Sequence, residues 1–487
     1  MLPLLPIVTI GQIFTPVDLL IPAPIPVPAQ QIVIQQPQEV RALPGQLDKV
    51  LMFNSNSPEV IQTEGILLST FPPAGKAAFG AHLNLPLQGN FNLFTHHIAR
   101  ANTPEERRTL YQGVIVYNPG DRPVTLDILQ AVSYVTNPDA PFIDLPPTVD
   151  NATGNVFSGP GSRVTSGILR GLHQADFPSQ LVIPPKQSRM LFNLPIAQAN
   201  CRSTFMRLRT NEPVYMASLA MYARQNPDLD YDLKNPFFLL FPPPVTYRPP
   251  LLEEWQQLLE TGNLAQPRDR FPTPLEKDNG YIVYSRVAGV AQGSEWHTDI
   301  VDRPGKQELS IPKRGQAFSY PLSTVNMITL GTSQVQSAPL LVRYPDTAYR
   351  AHGNYGVRYN LTLPLVNNTR ETQTVTLAIQ TPVKEENRDD GLRFLEPPDQ
   401  QIFFRGTVQI SYKDDAGIPK TAYVHLVQRR GQKGQPLVML NMPSSDRRLV
   451  KIEFIYPPDA TPPQVLTVST LEASREQQSA TREPDKN

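Results

Sequence analysis

The chain has 487 residues, enough for more than one domain and for cores of ordinary size. Lys and Arg total 44 and Asp and Glu total 44, which excludes a strong overall field drawing the chain to nucleic acid or an anionic membrane. The 53 prolines are about 11% of the residues against a usual ~5%, and the single cysteine, Cys201, excludes an intramolecular disulfide, a four-cysteine zinc site and a CxxC redox pair.

Within segment 1–38 the first 29 residues are apolar, carry no Lys or Arg and are interrupted by proline, and the first basic residue is Arg41. Met1 to Phe14 fits the apolar core of an export signal, and Val27-Pro28-Ala29 resembles a cleavage site. Pro3, Pro6, Pro16 and Pro22 break the stretch. It reads as a degenerate signal peptide followed by a proline-rich linker; the alternative is an extended proline-rich leader. No later stretch reaches roughly 18 unbroken apolar residues, so no transmembrane segment is expected.

Residues 39–225 are expected to form an N-terminal β-sandwich. Gly65-Ile66-Leu67-Leu68 is a short apolar run. Val114 to Tyr117 and Val124 to Leu129 flank the turn Asn118-Pro119-Gly120-Asp121, a hairpin with one buried face. Further strands are expected at 189–194, 203–209 and 213–222. Between them, 137–179 is rich in Pro, Gly and Asp and reads as a long irregular insertion, functional or mobile.

Residues 226–280 read as a proline-rich connector. Phe237 to Phe241 is boxed by prolines and suits burial between domains, or a surface patch for a partner or lipid. One short helix is expected there: Pro250 starts it, Leu251, Trp255, Leu258 and Leu259 share a face, and Gly262 stops it. Residues 281–470 are expected to form a C-terminal β-sandwich, opening on a strand at Tyr281 to Tyr284. Its strands include 359–366, 373–380, 407–412, 421–427, 449–455 and 465–468. Residues 471–487 are polar and read as a disordered tail.

The two β-regions share a signature. Asn118, Val124-Thr125-Leu126-x-Ile128 and Pro185-x-x-Ser188-Arg189 recur as Asn367, Val375-Thr376-Leu377-x-Ile379 and Pro443-x-x-Asp446-Arg447. The order and approximate spacing predict a duplication, with Asn turns closing equivalent hairpins and Arg189 and Arg447 pairing with carboxylates or capping carbonyls. The fold class is therefore mainly β: two related antiparallel, Ig-like β-sandwich domains with proline-rich connections and one short helix.

Candidate chemistry is sparse. No GxSxG, HExxH, P-loop or GxGxxG is present. Cys201 beside Arg202 reads as a buried, inert thiol, with a lowered-pKa thiol as the alternative. His82 with His96 or His97 is a conceivable metal pair, although adjacent residues on a strand point to opposite faces. Asp228-x-Asp230-x-Asp232 resembles the start of a calcium loop but has Leu233 and Leu239 where Gly and Glu belong. Trp296-His297-x-Asp299 groups an aromatic, an imidazole and a carboxylate that suit glycan contact. None of these is assigned as a catalytic, cofactor-binding or metal site, and no cofactor is expected.

Several strings are more specific: Val40-Arg41-Ala42-Leu43-Pro44-Gly45-Gln46-Leu47-Asp48, Phe53-Asn54-Ser55-Asn56-Ser57-Pro58, His96-His97-Ile98-Ala99-Arg100, Tyr344-Pro345-Asp346-Thr347-Ala348-Tyr349-Arg350-Ala351-His352-Gly353 and Tyr456-Pro457-Pro458-Asp459-Ala460. On these the chain resembles a cyanobacterial domain-of-unknown-function family, number 3370, over roughly 38 to 470. The resemblance implies an organism with an outer envelope and an exported protein; it brings no catalytic residues. The expected function is non-enzymatic, by binding or structure in the periplasm or cell envelope, with envelope polysaccharide, peptidoglycan or another envelope protein as partner. The alternatives are an enzyme acting on extracellular polysaccharide and a calcium-stabilised adhesin.

Overall fold

The computed structural model describes residues 31–226, 246–277, 280–385 and 391–472. Residues 1–30, Asp228, Asp230, Asp232, the Phe237 to Phe241 run and the tail beyond 472 lie outside the described residues. The fold is mainly β and has several sheets, as the short alternating segments predict.

Two groups of strands enclose the first core. One runs in the order Gln180–Ile183, Val124–Val135, Cys201–Tyr222, Leu87–Ala99, Leu51–Ser55, Ala288–Gln292 and Ala338–Arg343. The other joins Gly65–Ser69, Leu110–Tyr117 and Ser188–Ile196 to the far end of Cys201–Tyr222. Alternation sends Val124, Leu126 and Ile128 inward, against Val114, Val116, Phe91 and Leu93. The expected strands 203–209 and 213–222 are one strand of 22 residues. Its first part pairs with Leu87–Ala99 and its second with Leu110–Tyr117; the Leu87–Ala99 register breaks between Thr210 and Val214. Such an irregularity lets one strand serve two sheets.

The second core lies between another pair of sheets. Glu295–Asp299, Arg358–Val366, Arg447–Ile455, Ile402–Lys413 and Pro419–Arg429 form one; Ala317–Leu322, Gln464–Thr470, Gln373–Gln380 and Val438–Met442 form the other. Tyr359, Leu361, Val375, Leu377, Phe404 and Phe454 fill the space between.

Strands cross between the halves of the sequence. Ala288–Gln292 and Ala338–Arg343 extend the first sheet. In return, Glu39–Val40 pairs in parallel with Ala317–Leu322, and Thr148–Asp150 adds an edge to Pro419–Arg429.

The insertion 137–179 is ordered and carries an unexpected helix, α1 (Pro160–Leu169). Proline at its first turn costs no hydrogen bond, because that N–H would be unpaired anyway. Gly161 is required by contact: a Cβ there would stand 2.1 Å from Pro458 Cγ. Nearby, Asn151 Nδ2 donates to Thr407 Oγ1 at 2.9 Å, and the Arg170 guanidinium lies 3.8 Å from the centre of the Tyr423 ring. The insertion thus fastens the first half to the second. The expected helix is α2 (Leu252–Thr261). Its Glu254 carboxylate accepts from the Leu251 N–H at 2.7 Å. Trp255 and Leu259 are buried, whereas Leu251 is half exposed and leaves the predicted face. Trp255 covers Gly113, where a Cβ would lie 2.6 Å from the indole.

The two Asn turns do not close the expected hairpins, since the strands on either side of each pair with other strands and not with each other, but they have matching hydrogen bonds. Asn118 Nδ2 donates to the Arg122 and Ile183 carbonyls at 2.7 and 3.0 Å, and Oδ1 accepts from the Gly120 N–H at 2.8 Å. Asn367 Nδ2 donates to the Glu371 and Met442 carbonyls at 2.8 Å each, and Oδ1 accepts from the Thr369 N–H at 2.9 Å. Each Asn donates its own N–H at 3.0 Å, to Gln187 O and Asp446 O respectively. These partners set Ile183 against Met442 and Pro184, not Pro185, against Pro443. Lys186 and Ser445 then coincide at the one left-handed residue of each turn, with φ of 54° and 62°. Arg189 matches Arg448 rather than Arg447, and Val124 matches Gln373 rather than Val375.

Candidate binding cleft

A cleft of about 510 Å³ opens where six separate stretches of chain converge. The strand Leu51–Ser55 brings Asn54, and Asn56 and Glu59 follow it. Residues 281–287 form the opposite wall. They are irregular, not the expected strand at Tyr281 to Tyr284; pairing begins only at Ala288. His352 and Tyr355 come from the turn after Arg350–Ala351, and Pro458 to Pro462 from the loop after Arg447–Ile455. Lys384 closes the rim.

The charges in this region are largely paired. Arg286 Nε donates to Glu59 at 2.6 Å and Nη1 to Asp269 at 3.2 Å. His96 Nε2 lies 3.7 Å from Glu59. The His96 contact, with the Arg286 charge, holds the Glu59 carboxyl at about 2 against the opposing effect of burial. Burial disfavours a charged His96, yet the neighbouring Cys201 and Glu59 hold its pKa well above the ordinary imidazole value. A carboxyl held as low as Glu59 has no proton to give near neutral pH, so it is unsuited to general acid work. Burial, then the Arg350 charge, brings His352 down to about 4, and its ring lies 4.5 Å from that of Tyr284. Burial, then the Arg430 charge, brings Lys384 down to about 8; its ammonium lies 4.9 Å from the centre of the Phe403 ring.

The residues singled out in the sequence are dispersed. Cys201 is buried, with Sγ 3.6 Å from His96 Nδ1. His96 and His97 point apart along Leu87–Ala99: His96 meets Ser203 at 2.8 Å, and His97 meets Ser55 at 3.0 Å. His82 has its own partner, Ser69, at 2.9 Å. Among the described residues no group of three or more His, Cys, Asp and Glu is placed to hold a metal ion. Trp296 is buried, donates from Nε1 to the Pro44 carbonyl at 2.8 Å and stacks on Tyr359. His297 and Asp299 point to the exposed face of the same strand, so the three cannot meet one glycan. Arg447 pairs with Glu308, and Arg189 donates to the Ser188 carbonyl at 3.1 Å. Glu59, Arg286 and Lys384 were not singled out in the sequence, and His352 stood there only within a longer string, because the cleft joins residues from distant segments. The local signals lie in three of the specific strings: Phe53-Asn54-Ser55-Asn56-Ser57-Pro58 brings two amides beside a turn, and those ending in His352-Gly353 and in Pro458-Asp459-Ala460 also reach the lining.

The fold is thus a β-protein with several sheets and a cleft where its segments converge. The chain belongs to the family described as Protein of unknown function (DUF3370), which matches residues 38–470. No curated protein matches it. Among solved structures, the chain has 11% identity to Lac15 from a marine microbial metagenome, covering 88% of this chain and 67% of that one, with a TM-score of 0.11. It has 9% identity to procruciferin, the 11S globulin of Brassica napus, covering 84% of each chain, with a TM-score of 0.10. Neither likeness carries structural information at that score.

No helix among the described residues is long and apolar enough to cross a membrane.

Proposed function

We propose that the protein is an exported, non-enzymatic component of a cyanobacterial cell envelope, and that it acts by binding at the cleft. The partner is envelope polysaccharide, peptidoglycan or another envelope protein. One observation carries the binding reading: Glu59, the carboxylate lining the cleft, is already engaged by His96 and Arg286 and held ionised. A site built for proton transfer instead poises a carboxyl near the working pH. The export reading rests on segment 1–38. We also read the two halves as related Ig-like β-sandwiches that arose by duplication, supported by the matching Asn118 and Asn367 corners.

The test has two parts. A C-terminal epitope tag, cell fractionation and determination of the mature N-terminus address export; a wholly cytoplasmic protein removes it. Purified protein offered a panel of envelope polysaccharides addresses binding. Saturable binding without products supports it. Turnover abolished by single Asp or Glu replacements would establish an enzyme instead.

A further inference from the structure

We infer that the cleft takes a neutral saccharide, a specificity that rests on the binding reading above. The cleft walls hold hydrogen-bond acceptors with nothing to accept. Asn54 and Asn56 are almost fully buried, and the Oδ1 of each has no partner. Asp459, a partly buried residue between the lining residues Pro458 and Ala460, also has a buried Oδ2 without a partner. His352 Nδ1 is likewise unpartnered. Buried polar atoms are nearly always paired, so three orphans on residues lining one opening, with a fourth beside it, mark where a ligand supplies the partners. Three of the four are carbonyl-type or carboxylate oxygens, which need donors. Hydroxyl groups supply donors in quantity; a peptide brings as many carbonyls as N–H groups.

The apolar part of the site also suits a sugar. Tyr281 lines the cleft and is 78% exposed, presenting a ring face to the weakly polar C–H face of a pyranose. Charge argues for a neutral ligand. Arg286 is spent on Glu59 and Asp269, and Lys384 and Asp459 add one charge of each sign. The volume of about 510 Å³ falls in the range of small-ligand sites and accommodates a short oligosaccharide.

Titration calorimetry on the full chain tests this with malto-, cello- and chito-oligosaccharides, polygalacturonate and a mixed peptide library. At least one neutral series should bind. Tyr281→Ala and Asn56→Ala should each weaken it by about tenfold or more, the scale of losing one good contact. Asn56→Ala should leave the melting temperature unchanged or raise it, because it removes an unpaired buried oxygen. A structural Asn56 would instead lower the melting temperature and leave affinity alone, and that pattern overturns the inference. So does an absence of binding by every neutral series, or tighter binding of polygalacturonate or peptide. An envelope location with no effect of either variant removes the cleft and spares the export reading; a cytoplasmic location with cleft-dependent binding does the reverse.

Discussion

Asn118 and Asn367 hold the same corner: each buried side-chain amide donates to two matching backbone carbonyls, Asn367 adding a third at Pro443, and accepts one N–H across a turn between sheets. Replacing either with Ala strands buried carbonyls, Ile183 O in one case and Met442 O in the other. Each stranded group costs about 1–3 kcal/mol. Urea unfolding of Asn118→Ala and Asn367→Ala should therefore show losses of that size or more, similar at the two sites. A neutral result at either corner contradicts the account.

Gly113 and Trp255 form a contact that admits no extra atom. Gly113→Ala should cost about 1–3 kcal/mol through overpacking, and Trp255→Ala about 3–5 kcal/mol through the cavity it leaves. In the Trp255→Ala background the Gly113→Ala cost should largely vanish. A double-mutant cycle reads this coupling directly, and strict additivity would falsify the contact.

Acid should weaken the fold in two stages. His82, His97, His352 and His425 are held neutral, each at about 4, by burial. Unfolded, they titrate near 6.5, so the unfolded state binds more protons below that value. Their stabilising contribution is complete above about pH 6.5 and is lost as pH falls towards 4. Glu59, at about 2 when folded against 4.5 as the reference, contributes fully above about pH 4.5 and is lost towards pH 2. Unfolding free energy measured against pH should decline across both windows. Glu59→Gln should lessen the decline in the lower window, and an unchanged profile in that variant would count against its ion pairs.

The helix α1 is a fastener, and Gly161 is where it is tightest. Gly161→Val should push it off Pro458 and lower the melting temperature by about 1–3 °C, the effect of about 1–3 kcal/mol of overpacking in a chain of this size. Hydrogen exchange should quicken along Thr148–Asp150 and its partner Pro419–Arg429. Protection unchanged there would show that the insertion does not hold the halves together.

Much of the β-structure was legible because burial on one face forces alternation. Val124, Leu126 and Ile128 show it, as does the 3.6-residue spacing that placed Trp255 and Leu259 in α2. The recurring Val-Thr-Leu-x-Ile string was a misleading guide. The matching corners set Leu126 against Val375, two residues out of step; a shift of two keeps the same face of a strand, so the hydrophobic pattern could not reveal it. Helix α1 escaped notice because Gly161 and Gly167 depress helix propensity; Gly161 is demanded by its contact with Pro458, and Gly167 packs closely on Val132. Trp296 has a polar neighbourhood in sequence and a buried one in space. The cleft was not legible because its walls come from six distant stretches; three of them carry specific strings, but no local pattern links one to another.

The exchanged strands have a consequence for how the molecule is made. The first sheet lacks two members until Ala338–Arg343 has left the ribosome, and Thr148–Asp150 waits still longer for Pro419–Arg429. A nascent chain stopped at the midpoint has exposed edges and an uncovered core. Assembly must therefore follow synthesis more than accompany it, and neither half expressed alone should yield the stable protein that the two together complete.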